Sequence, residues 1–444
     1  MQTGIAAPAV GSRGSAFEGV TPYQWLVVLI ASAGWLFDCM DQRIFILART
    51  SALRELFAND AEALAAINRY AGYATTAMIL GWATGGIIFG MMSDKVGRVK
   101  TMVVTLLVYS GFTGLSGISV GWTDFMVYRF FVGVGVGGMF GAATALVAES
   151  VSPQFRPTAL GILQALSAVG NIIGSLISLK IAPEAVNFIG GYAGWRVLFF
   201  VGVLPALLVV PILFVLKEPQ SWLDAKAAAA RGGERKVVGS PLELFRHPRW
   251  RHNTLVGLFL GVSGMIGLWG IGFFSPELIA TALQGQPQEV VVRVRGWATA
   301  LQDVGAFVGM LVFTYVAASM SRRLAFLGAL LLSMGVTMFV FRSLSTPTDA
   351  YWMLPMMGFS QLAVFAGYSI YFPELFPTRL RGTGVGFCYN TVRYLAAPAP
   401  TLFGYLATLM TFRTAAMLMC SIYLVGIIAL IWAPETKGQP LPED

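Results

Sequence analysis

Gln24-Trp-Leu-Val-Val-Leu-Ile-Ala-Ser-Ala-Gly-Trp35-Leu-Phe-Asp38-Cys-Met-Asp41-Gln-Arg43-Ile-Phe-Ile-Leu47 is long enough to cross a bilayer as one helix, yet it holds two acids. About twenty apolar residues suffice for such a helix at 1.5 Å rise per residue. The spacing of Asp38 and Asp41 sets both carboxylates on neighbouring positions of one helix face. A charge in hydrocarbon costs about 2.5–3.5 kcal/mol on insertion scales, so the pair must turn toward protein or a water-filled cavity. We read that cavity as a path for substrate and protons. The competing reading is that the acids only pair with a basic helix neighbour for packing.

The same logic extends outward. Apolar residues make up 56% of the 444 and charged residues 12%, about half the charged share of soluble domains. Apolar runs predict twelve spans, near 24–47, 70–92, 101–119, 123–147, 158–181, 195–216, 252–274, 296–318, 323–341, 350–371, 382–408 and 413–433. With both termini inside, about eighteen basic residues fall inside and about ten outside, the sense the positive-inside rule demands. The expected protein is thus a multi-pass protein of the cell (inner or plasma) membrane with cytoplasmic termini. Its net charge of +8 suits loops facing anionic lipid better than nucleic acid. Residues 1–20 read as a flexible cytoplasmic tail without a signal-peptide core, 21–216 as a first six-helix half, 217–250 as a polar, basic linker, 251–434 as a second half and 435–444 as a tail. Cys39, Cys388 and Cys420 sit in apolar runs and His247 and His252 lack a ligand cluster, so no metal or disulfide framework is expected. No nucleophile–base constellation and no phosphate-cradling loop is present, which argues against an enzyme, a cofactor or an ATP-driven pump.

The two halves repeat each other. Gly72-Tyr-Ala-Thr75 and Gly296-Trp-Ala-Thr299 lie 224 residues apart, and Gly81/Gly305, Gly85/Gly309 and Arg98/Arg322 share that offset. Glu149…Arg156 and Glu374…Arg381 match at 225. Duplicated halves place a substrate site between them near the midplane. Gly90-Met-Met-Ser-Asp94-Lys-Val-Gly97-Arg98 closes the second span. Its glycine allows close helix approach, and its acid can cap a neighbouring helix or pair with an arginine.

This stretch resembles the loop motif of the major facilitator superfamily, and the resemblance covers the whole chain. It implies an all-α membrane protein of twelve transmembrane helices in two pseudo-symmetric six-helix halves, acting by alternating access. It also implies that Gly90, Asp94, Gly97 and Arg98 latch the inner side. Glu149, Arg156, Glu374 and Arg381 read as salt-bridge elements of the same gate. Ala318 stands where the second half would carry its own Asp94, so the latch is expected to be one-sided. Tyr128-Arg129-Phe-Phe-Val-Gly133 resembles the family's coupling arginine, within reach of Asp38 or Asp41; the alternative is an arginine snorkelling to headgroups. Lys217-Glu218-Pro219 and Pro434-Glu435-Thr436-Lys437-Gly438 resemble tails shared by sugar porters, aromatic-acid symporters and organic-ion transporters. Asp38-x-x-Asp41 resembles the acidic pair of the aromatic acid:proton symporters, with Cys39 and Gln42 where that branch has small residues.

A second clue is Tyr389-Asn390-Thr-Val-Arg393-Tyr394. Arg393 lies about 18 Å into the eleventh span, where a guanidinium needs an anion. That anion is either a substrate carboxylate held bidentately or Asp303. Gln302, Gln164 and Trp269 complete the expected substrate site, with Trp35, Phe37, Phe273, Tyr368 and Tyr371 as further candidate aromatics. The sequence therefore points to a monomeric symporter of a small organic acid and protons. A sugar or polyol porter leaves the acids and Arg393 unexplained, an organic-cation or drug exporter leaves Arg393 unexplained, and a transport-dead sensor lacks the long tail it should carry.

Overall fold

The computed structural model describes residues 19–65, 67–230 and 238–443. The expected N-terminal tail up to residue 18 and linker residues 231–237 lie outside them. The described part is helical, and eleven of its helices are long and apolar enough to cross a membrane.

The spans, numbered in chain order, are span 1 (Pro22–Leu56), span 2 (Ile67–Val96), span 3 (Arg98–Gly117), span 4 (Trp122–Ser150), span 5 (Arg156–Lys180) and span 6 (Gly194–Val215) in the first half. The second half has span 7 (Pro248–Ala282), span 8 (Gln288–Ser319), span 9 (Arg322–Ser343), span 10 (Pro347–Leu375), span 11 (381–409) and span 12 (Phe412–Ala429). Short helices Gln220–Ala230 and Pro241–Arg246 occupy the linker.

Local chemistry sets the ends. Span 1 starts with Pro22 after Thr21, whose hydroxyl accepts from Gln24 N while the Gln24 side chain accepts from Thr21 N, a reciprocal capping box. Span 1 runs a further two turns past the expected Leu47. Its extension is tied down at Glu55, which accepts from Trp195 Nε1 at 2.6 Å and pairs with Arg196 at 2.8 Å.

Span 11 departs from the continuous helix expected over 382–408. It forms three pieces, Arg381–Asn390, Val392–Ala396 and Ala399–Leu409. Pro398 has no N–H to give and its ring crowds the carbonyl four residues back. Span 7 is also interrupted, with a wide π turn over Ile266–Ile271 and a 3-10 turn over Gly272–Phe274.

The repeated glycines fall at equivalent contacts. A Cβ on Gly85 would stand 1.9 Å from the Val134 carbonyl oxygen of span 4, and one on Gly309 2.1 Å from that of Phe359 in span 10. Spans 2 and 4, like spans 8 and 10, therefore touch backbone to backbone, which needs small residues. Gly85→Ala is expected to cost about 1–3 kcal/mol, read as a lower unfolding temperature of the purified protein in detergent, with Gly72→Ala, whose Cβ meets nothing within 4 Å, as the neutral control.

Candidate functional site

At the end that carries the chain's basic loops, the halves are locked together. The Asp94 carboxylate accepts from Gly382 N at 2.9 Å and from Thr383 N and Oγ1 at 2.7 and 2.6 Å. An acid thus caps the N-terminus of span 11 from the other half. Asp94 also pairs with Arg98 at 2.9 Å. Arg98 donates to Glu149 and, across the halves, to the Thr378 carbonyl at 2.7 Å; Glu149 is reached in turn by Arg381. Gly90 meets the Gly382 backbone, and the Asn390 side chain fills the space over Gly86, so spans 2 and 11 approach closely where span 2 carries glycine.

The second half repeats part of this. Arg322 pairs with Glu374 at 3.0 Å as Arg98 does with Glu149 at 2.9 Å. Arg156 donates to the Ala148 carbonyl at 2.9 Å as Arg381 does to that of Pro373 at 3.0 Å. Ala318 offers no counterpart to Asp94.

The two tails singled out after spans 6 and 12 prove to be helix caps. Glu218 accepts from the backbone N–H of Arg98, Val99 and Lys100, and Glu435 from those of Arg322 and Arg323. Gly97, at φ +133°, leaves room for the Glu218 carboxylate. Burial pushes the Glu435 carboxyl up, but hydrogen bonds from Ser321 and three backbone N–H groups outweigh it and hold the group below its ordinary value.

Asp38 and Asp41 lie inside the first half, on the face of span 1 turned to spans 3, 4 and 6. Asp41 is 3.9 Å from Arg129, and the backbone of span 6 at Gly202 presses against it and Thr113. Arg129 donates twice to Ser116 Oγ, at 3.0 and 2.8 Å, and its guanidinium lies 4.7 Å from the Phe199 ring centroid and 5.3 Å from that of Phe45. It does not snorkel: it is fully buried. Neither Asp38 oxygen has a hydrogen-bond partner, although the residue is 1% exposed. The acids thus face away from the seam between the halves. Cys39 and Arg43 take the seam-facing side of the same helix.

At that seam stands Arg393. Its Nη1 donates to the Tyr389 carbonyl at 2.8 Å and to Asn390 Oδ1 at 3.1 Å. Its guanidinium lies 4.1 Å from the Trp82 ring centroid and 4.7 Å from that of Tyr389. It is buried, its Nε donates to nothing, and among the described residues it makes no ion pair. The expected alternative partner is taken, because Asp303 pairs with Arg43 across the halves at 2.5 Å. Tyr389 stacks on Phe140 at 3.8 Å, Trp35 lies edge-on to Tyr389 and Trp82 at 6.3 Å, and Trp82 lies edge-on to Trp269 at 6.5 Å. The indole N–H groups of Trp35 and Trp82 are buried without an acceptor. Both interrupted helices meet here, span 7 at Trp269 and span 11 at Arg393. Broken helices mark the site in transporters built from repeats.

The other expected site residues are more scattered. Gln302 accepts from Ser275 at 3.1 Å, and Gln164 is buried with Oε1 unpartnered. Tyr368 donates to the Leu260 carbonyl and Tyr371 to that of Pro434, so both pack within the second half. Tyr394 leans out to Thr84, and the Phe273 side chain lies outside the described residues. Sequence reasoning left out Trp82, Phe140 and Arg43. Only Arg43, a cation in the first span, gave a signal.

A profile described as the Major Facilitator Superfamily matches residues 33–399. The chain belongs to that superfamily. As such it is a multi-pass secondary transporter and not an enzyme. It is 28% identical over 372 residues to the cis,cis-muconate transport protein of Acinetobacter baylyi, covering 83% of this chain and 86% of that one. It is 23% identical to the benzoate transport protein of the same organism, covering 88% and 85%, and 27% identical to a sialic acid transporter of Escherichia coli, covering 88% and 89%. The solved proton:xylose symporter superposes with a TM-score of 0.76 at 18% identity over 94% of this chain and 98% of that one, which fits the twelve-helix architecture.

Proposed function

We propose that this transporter carries a small organic anion, an aromatic acid or another carboxylate, together with protons into the cell by alternating access. The observation that carries the reading is Arg393: a buried guanidinium with no acid partner among the described residues, at the junction of two interrupted helices, between aromatic rings. A carboxylate completes it with a bidentate, charge-assisted pair, and a planar substrate stacks among Trp82, Tyr389 and Trp269. The relatives named for muconate, benzoate and sialic acid share the acid group, which favours the aromatic-acid symporter branch. The basic end, with both termini, is then cytoplasmic. Asp38, Asp41 and Arg129 serve the proton, within the first half and one helix thickness from the anion.

The contacts at Asp94, Arg98, Glu149 and Arg381 act as the inner gate. Asp94→Asn removes the charge that caps span 11, about 1.5–3 kcal/mol. The balance between forms closed and open at the basic end is expected to shift about 10- to 150-fold toward the open one. Spin-label distances between spans 2 and 11 at that end read this directly; an unchanged distribution removes Asp94 from gating. The function itself is tested by uptake into proteoliposomes of benzoate, muconate, sialic acid and xylose, with and without an inward proton gradient. Gradient-driven uptake of the acids alone is expected, and uptake of xylose alone overturns the reading.

A further inference from the structure

We infer that Arg43 is a second carboxylate anchor and that Asp303 is its built-in occupant, which a dicarboxylate displaces while Asp303 takes up a proton. This rests on the anion site proposed at Arg393. Arg43 and Cys39 are four residues apart and so share one face of span 1. Trp35, one turn before Cys39, lies edge-on to the Trp82 and Tyr389 rings that flank Arg393, and Arg43 follows one turn after Cys39, so both guanidinium groups lie along this side of span 1 at the seam. Arg43 stems from the first half, where its Cβ packs at Gly174 of span 5, and Asp303 comes from span 8 of the second. Their side chains are 24% and 15% exposed, against none for the Asp41–Arg129 pair. Among the described residues the other exposed pair within the spans, Glu55–Arg196, sits at their ends, whereas Arg43–Asp303 lies midway along spans 1 and 8.

Charge counting then sets the substrate class. Arg393, Arg43 and ionised Asp303 sum to one positive charge, which a monocarboxylate neutralises. A dicarboxylate whose second group lands on Arg43 meets the Asp303 carboxylate there, and two carboxylates on one guanidinium favour protonating one of them. The proton comes from water on the exposed side and goes to a carboxyl oxygen of Asp303, leaving the site neutral. Asp38 and Asp41 of span 1 are buried within the first half, so among the described residues Asp303 is the carboxylate on the exposed side of the seam. Spans 5 and 10, packed beside span 8, carry charges only near their ends, at Arg156, Lys180, Asp349 and Glu374. On span 8 itself the nearest are Arg293 and Arg295, two turns outward, and from span 11 only Arg393 approaches.

The test compares muconate with sorbate, six-carbon dienes that differ by one carboxylate, binding to the purified full-length protein. Calorimetry in buffers of different ionisation enthalpy gives affinity and proton uptake together. About one more proton is expected to be taken up with muconate than with sorbate. Asp303→Asn should abolish that difference and raise the muconate-to-sorbate affinity ratio about tenfold or more; Arg43→Gln should lower it by a similar factor. The double variant, which leaves no unpaired charge to impair folding, should match Arg43→Gln. Equal proton uptake for both acids, or a ratio that Arg43→Gln does not move, overturns the inference while leaving the Arg393 site standing. Failure of both acids to bind overturns the Arg393 reading and this one with it.

Discussion

Arg393→Lys is expected to weaken binding of a carboxylate substrate about 10- to 150-fold, with the fold intact. Lysine keeps the charge but loses the planar fork that can hold a carboxylate bidentately, and it loses the flat contact with Trp82 and Tyr389. A hydrogen bond to a charged group is worth about 1.5–3 kcal/mol, which sets the range. The measurement is ligand affinity by calorimetry alongside thermal unfolding without ligand. The rival explanation is that Arg393 only ties up the interrupted span 11 through the Tyr389 carbonyl and Asn390. That role would lower the unfolding temperature of the free protein and leave affinity unchanged.

Asp41→Asn should abolish accumulation driven by a pH gradient while preserving exchange of substrate across the membrane. The carboxylate faces Arg129 at 3.9 Å in a fully buried setting. Its protonation leaves Arg129 with only the Ser116 hydroxyl and two rings, and an unpaired buried charge costs about 3–5 kcal/mol. Spans 1, 3, 4 and 6 must therefore repack or admit water when the proton arrives, a two-state element biased by one charge. Asparagine fixes the neutral form, so the proton no longer drives the cycle. Counterflow and gradient-driven uptake in the same proteoliposomes separate the two effects. Full uphill accumulation by the variant removes Asp41 from coupling.

The succession of spans was legible because apolar length is a one-dimensional signal. The repeat was legible too: Gly85 and Gly309 meet equivalent carbonyls, and Arg98 and Arg322 equivalent acids. Which way a side chain turns was not. Asp38 and Cys39 are adjacent, yet one faces the inside of a half and the other the seam, and span 1 is buried on both sides, so no polar stripe tells them apart. The Arg43–Asp303 pair joins residues 260 positions apart, which only the folded chain brings together. Tyr368 and Tyr371 read as cavity aromatics on which a planar acid could stack; their phenols instead donate to backbone carbonyls within the second half. Span 11 read as continuous because its length and overall apolar content suit one helix, and the break before Ala399 follows from the missing N–H of Pro398.

Asn390 sits at a crossing of two tasks. Its side chain fills the hollow above Gly86 that seals spans 2 and 11, and its amide oxygen receives Arg393. Selectivity and turnover are thus mechanically geared through one amide. A substitution at 390 chosen to admit a bulkier acid will also alter how fast the halves part, and variants selected for new cargo at this position should show altered cycling rates even with the original one.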